Sequence, residues 1–377
     1  MKYLDAKKLA EAITRRVEAD LAYHRVGGCA MRVMQEGRPV YEAVFGEKTP
    51  GEGDPLPIDA VYRMASMTKP VTAAAVLREI SLGHLHLFDR ISDFIPGYKE
   101  MEIGRLNEQG EIEVTGKAQN AMRLIHVLTH TSGVGTAELG TKELGDFGRP
   151  AGMNLKAVTE YFATVPLSFD PYTQTAYSAL LGLDIAARLV EITSGMDFQS
   201  YLTKYFFEPL GMVDTCFAPT SAQRERFIGM HNRGEGKNVP GPTYPGCVFE
   251  NFPDSYYSGG GGLSSTLRDY SKFAEFLLWG NEDILPTHVL RNMSRVSLPE
   301  SLMPGTQQWG LGVRVIGENY GPLPADSFGW SGAYGTHFWV DPENKITAVY
   351  LKNSVYDGGS GAVTARNFEE DVASALL

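Results

Sequence analysis

The sequence predicts an α+β protein, in which one antiparallel sheet is built from both ends of the chain and a large, mostly helical region is inserted between them. Three observations predict it. Strand-like runs occur near both termini, an amphipathic helix lies outside them at each end, and the patterns between them are helical. Residues 1–60 and 285–377 are expected to form the sheet domain and residues 61–284 the helical domain, with a cleft where the two meet.

The N-terminal part predicts a helix followed by a hairpin. Apolar residues from Leu9 to Leu21 recur at every fourth position, which predicts a helix from about Asp5 to His24. The short apolar runs Cys29–Met34 and Val40–Phe45 follow, and polar and turn-forming residues separate them. This pattern predicts a β-hairpin.

The middle of the chain is dominated by helical patterns, and strand patterns return near its end. Helices are predicted over Val71–Leu82, Ala121–Thr131, Ser178–Ser194, Phe198–Phe207 and Thr266–Trp279. Strands are predicted over Trp309–Ile316, Thr336–Val340 and Thr347–Leu351, and a final helix over Ala362–Leu377. No structure is predicted for Glu138–Asn154 or Gly234–Ser258, the loops that are expected to border the cleft.

Composition narrows the classes of partner and the compartment. The 377 residues carry 34 Lys and Arg against 45 Asp and Glu, a formal charge of −11, which argues against nucleic acid and anionic membranes as partners. Neither a secretory signal nor a long apolar segment is found, so a cytoplasmic location is expected. Cys29, Cys216 and Cys247 are far apart, which predicts reduced thiols and no cysteine zinc site. The oligomeric state is not determined.

The first candidate for chemistry is Ser66-Met67-Thr68-Lys69, placed where an extended segment gives way to a predicted helix. Ser66 and Lys69 are three residues apart, so they share one helix face and the amine can reach the hydroxyl. The positive potential of a helix N-terminus would favour an oxyanion there. This arrangement predicts an activated serine nucleophile, although the four-residue spacing alone is not specific.

Two further motifs follow in an order that raises the specificity. They are Tyr177-Ser178-Ala179, before a predicted helix, and Trp330-Ser331-Gly332-Ala333, leading into a predicted strand. A Ser-x-x-Lys helix start, then a tyrosine, then a small-Gly strand is the pattern of serine β-lactamases and penicillin-binding proteins.

The sequence from about Val61 to Asn353 resembles that of class C β-lactamase-like proteins. The segments that carry the resemblance, besides those above, are Arg63–Pro70, His126–Gly133, Pro209–Met212, Gly261–Thr266 and Phe338–Pro342. The resemblance implies a β-lactamase/transpeptidase-like fold and an acyl-enzyme mechanism without a cofactor.

The resemblance also implies roles for individual residues. Ser66 would be the nucleophile, and Lys69 and Tyr177 would form the acid/base unit, with either of the two as the base. The backbone N–H groups of Ser66 and Ala333 would form the oxyanion hole. Tyr172 is the alternative to Tyr177 as the tyrosine of this unit.

Two departures from the pattern point to an uncharged, less polar acyl substrate. β-Lactamases and DD-peptidases of this group have Asn at the position of Ala179 and Lys at the position of Trp330. The Trp-small-Gly form resembles the family VIII carboxylesterases. A carboxylic ester hydrolase for small acyl esters is therefore the first hypothesis, with Trp330, Ser331, Gly332 and Ala179 as substrate-binding residues.

Other interpretations remain open. A β-lactamase, DD-peptidase or D-amino-acid amidase is the main alternative, and a non-catalytic penicillin-binding-like protein or an acyltransferase follows. His337 is a candidate substrate contact if strand alternation places it on the face of Ala333. His126 and His130 share the spacing of zinc ligands, but Val127 stands where a zincin needs Glu, so no metal is predicted. The glycine run Gly259–Gly262 could form a rim of the cleft.

Overall fold

The structure, a computed structural model, describes residues 1–148, 150, 152–234, 237–240, 253–295, 298–303, 305, 307–318, 320–359 and 361–377. The strands are β1 (Gly28–Gln35), β2 (Arg38–Gly46), β3 (Val61–Arg63), β4 (Glu102–Leu106), β5 (Ile112–Lys117), β6 (His231–Gly234), β7 (Lys237–Pro240), β8 (Ser264–Thr266), β9 (Gln307–Trp309), β10 (Arg314–Ile316), β11 (Phe328–Ser331), β12 (His337–Asp341) and β13 (Ile346–Leu351).

The helices are α1 (Ala6–Ala22), α2 (Thr68–Ser81), α3 (Leu124–Leu128), α4 (Ala137–Phe147), α5 (Leu155–Phe162), α6 (Leu181–Ser194), α7 (Phe198–Leu202), α8 (Glu208–Leu210), α9 (Ser221–Arg224), α10 (Leu267–Trp279), α11 (Thr287–Leu290), α12 (Asn292–Arg295) and α13 (Val363–Ser374). Short 3₁₀ turns lie at Ala65–Met67, Ile91–Asp93 and Pro96–Tyr98, and a π-helical turn lies at Thr203–Phe207. In the described part of the chain, no helix combines the length and the apolar character that crossing a membrane requires.

Both ends of the chain supply strands to one antiparallel sheet, as the sequence predicts. Among the described residues, seven strands pair in the order β2-β1-β13-β12-β11-β10-β9. The hairpin of β1 and β2 is confirmed, and β1 then pairs with β13 from the far end of the sequence. Helices α1 and α13 pack against each other on one face of the sheet, and α10 covers the other face.

The single strand predicted over Trp309–Ile316 is wrong, because the structure divides this segment into β9 and β10. The chain reverses at Gly310–Gly312, and Gly312 has a φ of +70° that favours glycine. A Cβ at Gly310 would lie 2.1 Å from the carbonyl oxygen of Met293, so the reversal is packed closely against α12. The turn places Trp309 at the end of β9, next to the hairpin turn, rather than within one long strand.

The helical region differs from the prediction mainly at its loops. The helix predicted over Ala121–Thr131 is only five residues long, since the chain turns to a left-handed conformation at His130, with φ +57°. Helix α4 occupies part of the segment for which no structure was predicted. The β4–β5 hairpin, to which the sequence analysis assigned no strands, lies in this region too. Much of the predicted loop 234–258, including Cys247, lies outside the described residues.

Candidate active site

Ser66 lies in a tight turn between a strand and a buried helix. Strand β3 ends at Arg63, the 3₁₀ turn Ala65–Met67 follows, and α2 begins at Thr68, so Ser66 precedes the α-helix that the sequence predicted to start with it. Ala65 has a φ of +47°, a conformation that a non-glycine residue rarely adopts. The Thr68 hydroxyl donates a hydrogen bond to the Ala65 carbonyl at 2.7 Å and holds this turn in place.

Lys69 is fully buried beside the serine, and three hydrogen bonds hold its amine in place. Its Nζ lies 3.2 Å from Ser66 Oγ and donates to the carbonyl oxygens of Ala179 and Gly260, each at 2.5 Å. An ammonium group has three donors, and these three oxygens match them. The side chain therefore has one defined position, directly against the candidate nucleophile.

The glycine run forms part of the floor beneath Lys69 rather than the rim that the sequence suggested. The Gly260 carbonyl receives Lys69, and the Gly259 carbonyl receives the Thr72 hydroxyl at 2.8 Å. A Cβ at Gly260 would lie 2.5 Å from backbone atoms of Leu180. Only a residue without a side chain allows the two segments to approach so closely.

Tyr177 completes the hydrogen-bonded group at the serine. Its hydroxyl lies 2.7 Å from Ser66 Oγ, and Lys69 Nζ lies 5.0 Å from the centre of its ring. Tyr172, the alternative tyrosine, instead stacks on the ring of His126 at 5.4 Å between centroids. The structure thus brings Ser66, Lys69 and Tyr177 together.

The turn after β11 packs against the backbone that leads to the serine. The Thr336 hydroxyl donates to the Met64 carbonyl at 3.0 Å, and a Cβ at Gly332 would lie 2.4 Å from the same carbonyl oxygen. Ala333 is exposed at this turn. Within the described residues, neither the Ser66 nor the Ala333 N–H donates a hydrogen bond, so both are available to an oxyanion.

Aromatic rings pack around the ring of Tyr177. Trp330 donates its indole N–H to this hydroxyl at 3.4 Å, and the rings of Trp309 and Trp330 lie 4.7 Å apart. The centre of the His130 ring lies 4.7 Å from that of Tyr177 and 4.5 Å from that of Trp309. Trp309 could not be predicted from the sequence, because its place in the site depends on the β9–β10 turn and no local motif marks it.

A family model described as Beta-lactamase matches residues 13–371 of the sequence. The chain belongs to the beta-lactamase family. Esterase EstB from Burkholderia gladioli is 30% identical over 393 residues, which cover 96% of this chain and 94% of that protein. The lovastatin esterase of Penicillium rubens is 27% identical, with 89% of this chain and 91% of that protein covered.

Among solved structures, the chain is similar to EstCE1, described as a hydrolase with promiscuous acyltransferase activity. The TM-score is 0.81 at 20% sequence identity, and 98% of each chain is covered. At this identity the likeness shows the fold alone. It agrees with the β-lactamase/transpeptidase-like α+β fold predicted from the sequence.

The prediction that His337 contacts the substrate is wrong. The residue is buried, and its two ring nitrogens lie 2.8 Å from Ser331 Oγ and 3.0 Å from Glu369 Oε1. Strand alternation does not link it to Ala333, because residues 332–336 form the turn between β11 and β12. Ser331 is likewise buried, and its hydroxyl contacts His337. Of the predicted substrate-binding residues, Trp330 contacts Tyr177, and Ala179 is exposed.

The two zinc-spaced histidines have other surroundings. His126 Nδ1 accepts a hydrogen bond from the Arg123 N–H at 3.2 Å, and His130 Nδ1 accepts one from the Ser178 N–H at 3.3 Å. Burial lowers the pKa of His126 to about 4 and holds the pKa of His130 well below its usual value. In the part of the chain that the structure describes, no three His, Cys, Asp or Glu side chains are grouped to hold a metal ion.

Proposed function

We propose that the protein is a serine hydrolase that cleaves small carboxylic esters through an acyl-enzyme on Ser66. One observation carries the proposal: the Ser66 hydroxyl lies within hydrogen-bond distance of both Lys69 and Tyr177. The ring of Trp330 packs against Tyr177 and forms an aromatic wall beside this group. An ester supplies the uncharged acyl group that such a wall accepts. The esterases among the relatives support the same substrate class.

Acylation follows from the position of each group. Tyr177 accepts the Ser66 proton as Oγ attacks the ester carbonyl, and the N–H groups of Ser66 and Ala333 stabilise the oxyanion. The leaving alcohol takes the proton back from Tyr177. Water then enters at the same place and loses a proton to Tyr177 as it attacks the acyl carbon. Tyr177 returns this proton to Ser66 Oγ as the bond between the acyl group and the serine breaks and the acid leaves.

The assignment of Tyr177 as the base is supported by the surroundings of Lys69. Its two carbonyl contacts of 2.5 Å are at the short end of the range for hydrogen bonds, as is typical of a charged donor. A unit cation about 4 Å from a phenolate stabilises it by about 4 kcal/mol at an effective dielectric constant near 20. Lys69 thus supplies the charge, and Tyr177 moves the proton.

The preference for esters over β-lactams rests on two side chains. The Ala179 methyl group offers no hydrogen bond to an acylamino group. Trp330 presents an apolar ring and no cation for a carboxylate, and its one N–H is directed to Tyr177. Both features disfavour an acidic, amide-rich substrate and leave a neutral ester as the better fit.

The test is paired turnover of p-nitrophenyl butyrate and a chromogenic cephalosporin by the full chain and by Ser66→Ala, with Ser294→Ala on α12 as the matched control. We expect rapid ester cleavage that Ser66→Ala abolishes and Ser294→Ala retains, together with slow or absent ring opening. Efficient cephalosporin hydrolysis would overturn the substrate class, and ester activity in Ser66→Ala would overturn the nucleophile. The cytoplasmic location stays a prediction, which fractionation of the source cells would test.

A further inference from the structure

A fully buried carboxylate, that of Asp184, is linked to Lys69 through a single residue, Gly260. Asp184 is on α6, and its Oδ1 accepts the Gly260 N–H at 2.9 Å. The carbonyl of the same glycine accepts Lys69 Nζ at 2.5 Å. The acid and the ammonium group are therefore held at opposite sides of one glycine, in a region from which water is excluded.

Asp184 is surrounded by hydrogen-bond donors. The hydroxyl of Tyr256 donates to Oδ2, and the hydroxyl of Ser258 donates to Oδ1 at 2.8 Å, in addition to the Gly260 N–H. Three donors on one carboxyl group match the ionised form, which accepts and does not donate. Burial raises the pKa of Asp184 above its usual value, and these donors and the charge of Lys69 offset only part of that rise.

We propose that Asp184 is a positioning residue that serves as the counter-ion of Lys69: through Gly260 it fixes the direction of the ammonium group, and by its charge it sets the protonation of the Lys69–Tyr177 pair. This inference rests on the proposed function, because it concerns the acid/base unit of that reaction. An opposite charge in a site of low dielectric constant favours the charged form of its neighbour.

The charged and titratable groups around the pair are few in the described structure. Lys69 and the phenols of Tyr256 and Tyr98 interact with Asp184. Lys69 Nζ also lies 5.0 Å from the centre of the Tyr177 ring, and its charge acts on His130. Burial keeps His130 neutral, and burial raises the pKa of both Tyr98 and Tyr256, so these three side chains supply no charge near neutral pH. Asp184 is then the negative group that interacts with the Lys69 ammonium.

The experiment is the pH profile of kcat/KM for p-nitrophenyl butyrate in Asp184→Asn, which keeps an oxygen for Gly260 and removes the charge. Without the negative charge, the Lys69–Tyr177 pair loses its proton at lower pH. We expect the acidic limb of the profile to move down by about 0.5 pH unit or more. The matched control is Asp341→Asn, a buried aspartate of the β12–β13 turn that hydrogen bonds to Asn344.

The readout separates a charge effect from a loss of stability. A p-nitrophenyl phosphonate inactivates only folded enzyme. The rate of inactivation is therefore normalised to the number of sites that finally react, so that it reports the folded fraction alone. If Asp184→Asn does not fold, Asp184→Ser is the second neutral variant. A limb that moves with Asp184→Asn and stays with Asp341→Asn supports the proposal. If Ser66→Ala is inactive and the acidic limb of Asp184→Asn does not move, the proposal for Asp184 is overturned, even when the Tm is lowered. If Ser66→Ala is active, the proposed function itself is overturned.

Discussion

The indole N–H of Trp330 donates a hydrogen bond to the phenol oxygen of Tyr177 at 3.4 Å. The β-lactamases that the sequence resembles have a lysine at the position of Trp330. In this chain the side chain at that position supplies a hydrogen-bond donor without a charge. In the proposed reaction, this donor would stabilise a phenolate at Tyr177 without adding a charge to the site.

Trp330→Phe tests this contact, because it keeps the apolar ring and removes the donor. A hydrogen bond to a charged group contributes about 1.5 kcal/mol, so we expect kcat for p-nitrophenyl butyrate to fall by about tenfold with little change in KM. Trp279→Phe, at an exposed tryptophan on α10, is the control and should leave both constants unchanged. A rise in KM at constant kcat would show instead that Trp330 acts only in binding.

The sequence predicts the parts of the site that local spacing determines. Ser66 and Lys69 are three residues apart, and Tyr177 begins its own motif, so their chemistry is visible without the fold. The structure brings these three together. The roles of Trp309 and Asp184 could not be predicted, since each depends on long-range packing: one on the β9–β10 turn, the other on Gly260 meeting α6.

His337 shows why orientation is harder to predict than membership of a strand. Strand β12 itself was predicted within one residue of its start and end. Between Ala333 and His337 the chain forms a turn, and side-chain alternation holds only within a continuous strand. The same limit explains why one strand was predicted where the glycines at 310 and 312 produce two.

The contacts of His337 predict a structural role that a double-mutant cycle can measure. His337→Phe keeps a ring but removes the hydrogen bonds to Ser331 and Glu369, both of which are buried. We expect the free energy of unfolding, measured with urea, to fall by about 2 kcal/mol. Ser331→Ala should cost about 1 kcal/mol in the wild-type chain and almost nothing in His337→Phe, because its partner is already gone. Additive costs would contradict a shared hydrogen bond.

His126 predicts that the protein loses stability as the pH falls below neutral. Burial lowers the pKa of His126 in the folded chain to about 4, whereas an unfolded histidine titrates near 6.5. Stability is therefore fully present above about pH 6.5 and is lost as the pH falls towards about 4. The slope approaches about 1.4 kcal/mol per pH unit for one such histidine. His130, whose pKa is also lowered, acts in the same direction.

Urea unfolding at several pH values between about 7 and about 5 measures this slope. His126→Gln removes the titrating group and keeps an acceptor for the Arg123 N–H, so the slope should become clearly smaller. His86→Gln, at an exposed histidine, is the control and should leave it unchanged. Equal slopes in the wild-type and His126→Gln chains would exclude His126 as the source.

Gly332 predicts how strictly the turn after β11 must be placed for catalysis. A Cβ on this residue would lie 2.1 Å from the Thr336 hydroxyl and 2.4 Å from the Met64 carbonyl oxygen. Gly332→Ala must therefore push the turn away from the serine, and the Ala333 N–H moves with it. Loss of one oxyanion donor lowers kcat by about 100-fold or more, because the donor acts on charge that develops in the transition state.

The matched control is Gly145→Ala on α4, where the added Cβ meets no atom within 4 Å. It should keep wild-type kcat and raise Tm slightly, since alanine favours a helix more than glycine does. Circular dichroism would establish that Gly332→Ala is folded before its kinetics are compared. A folded Gly332→Ala enzyme with wild-type kcat would mean that the turn is not the source of the second oxyanion donor, and the donor would then have to come from another part of the cleft.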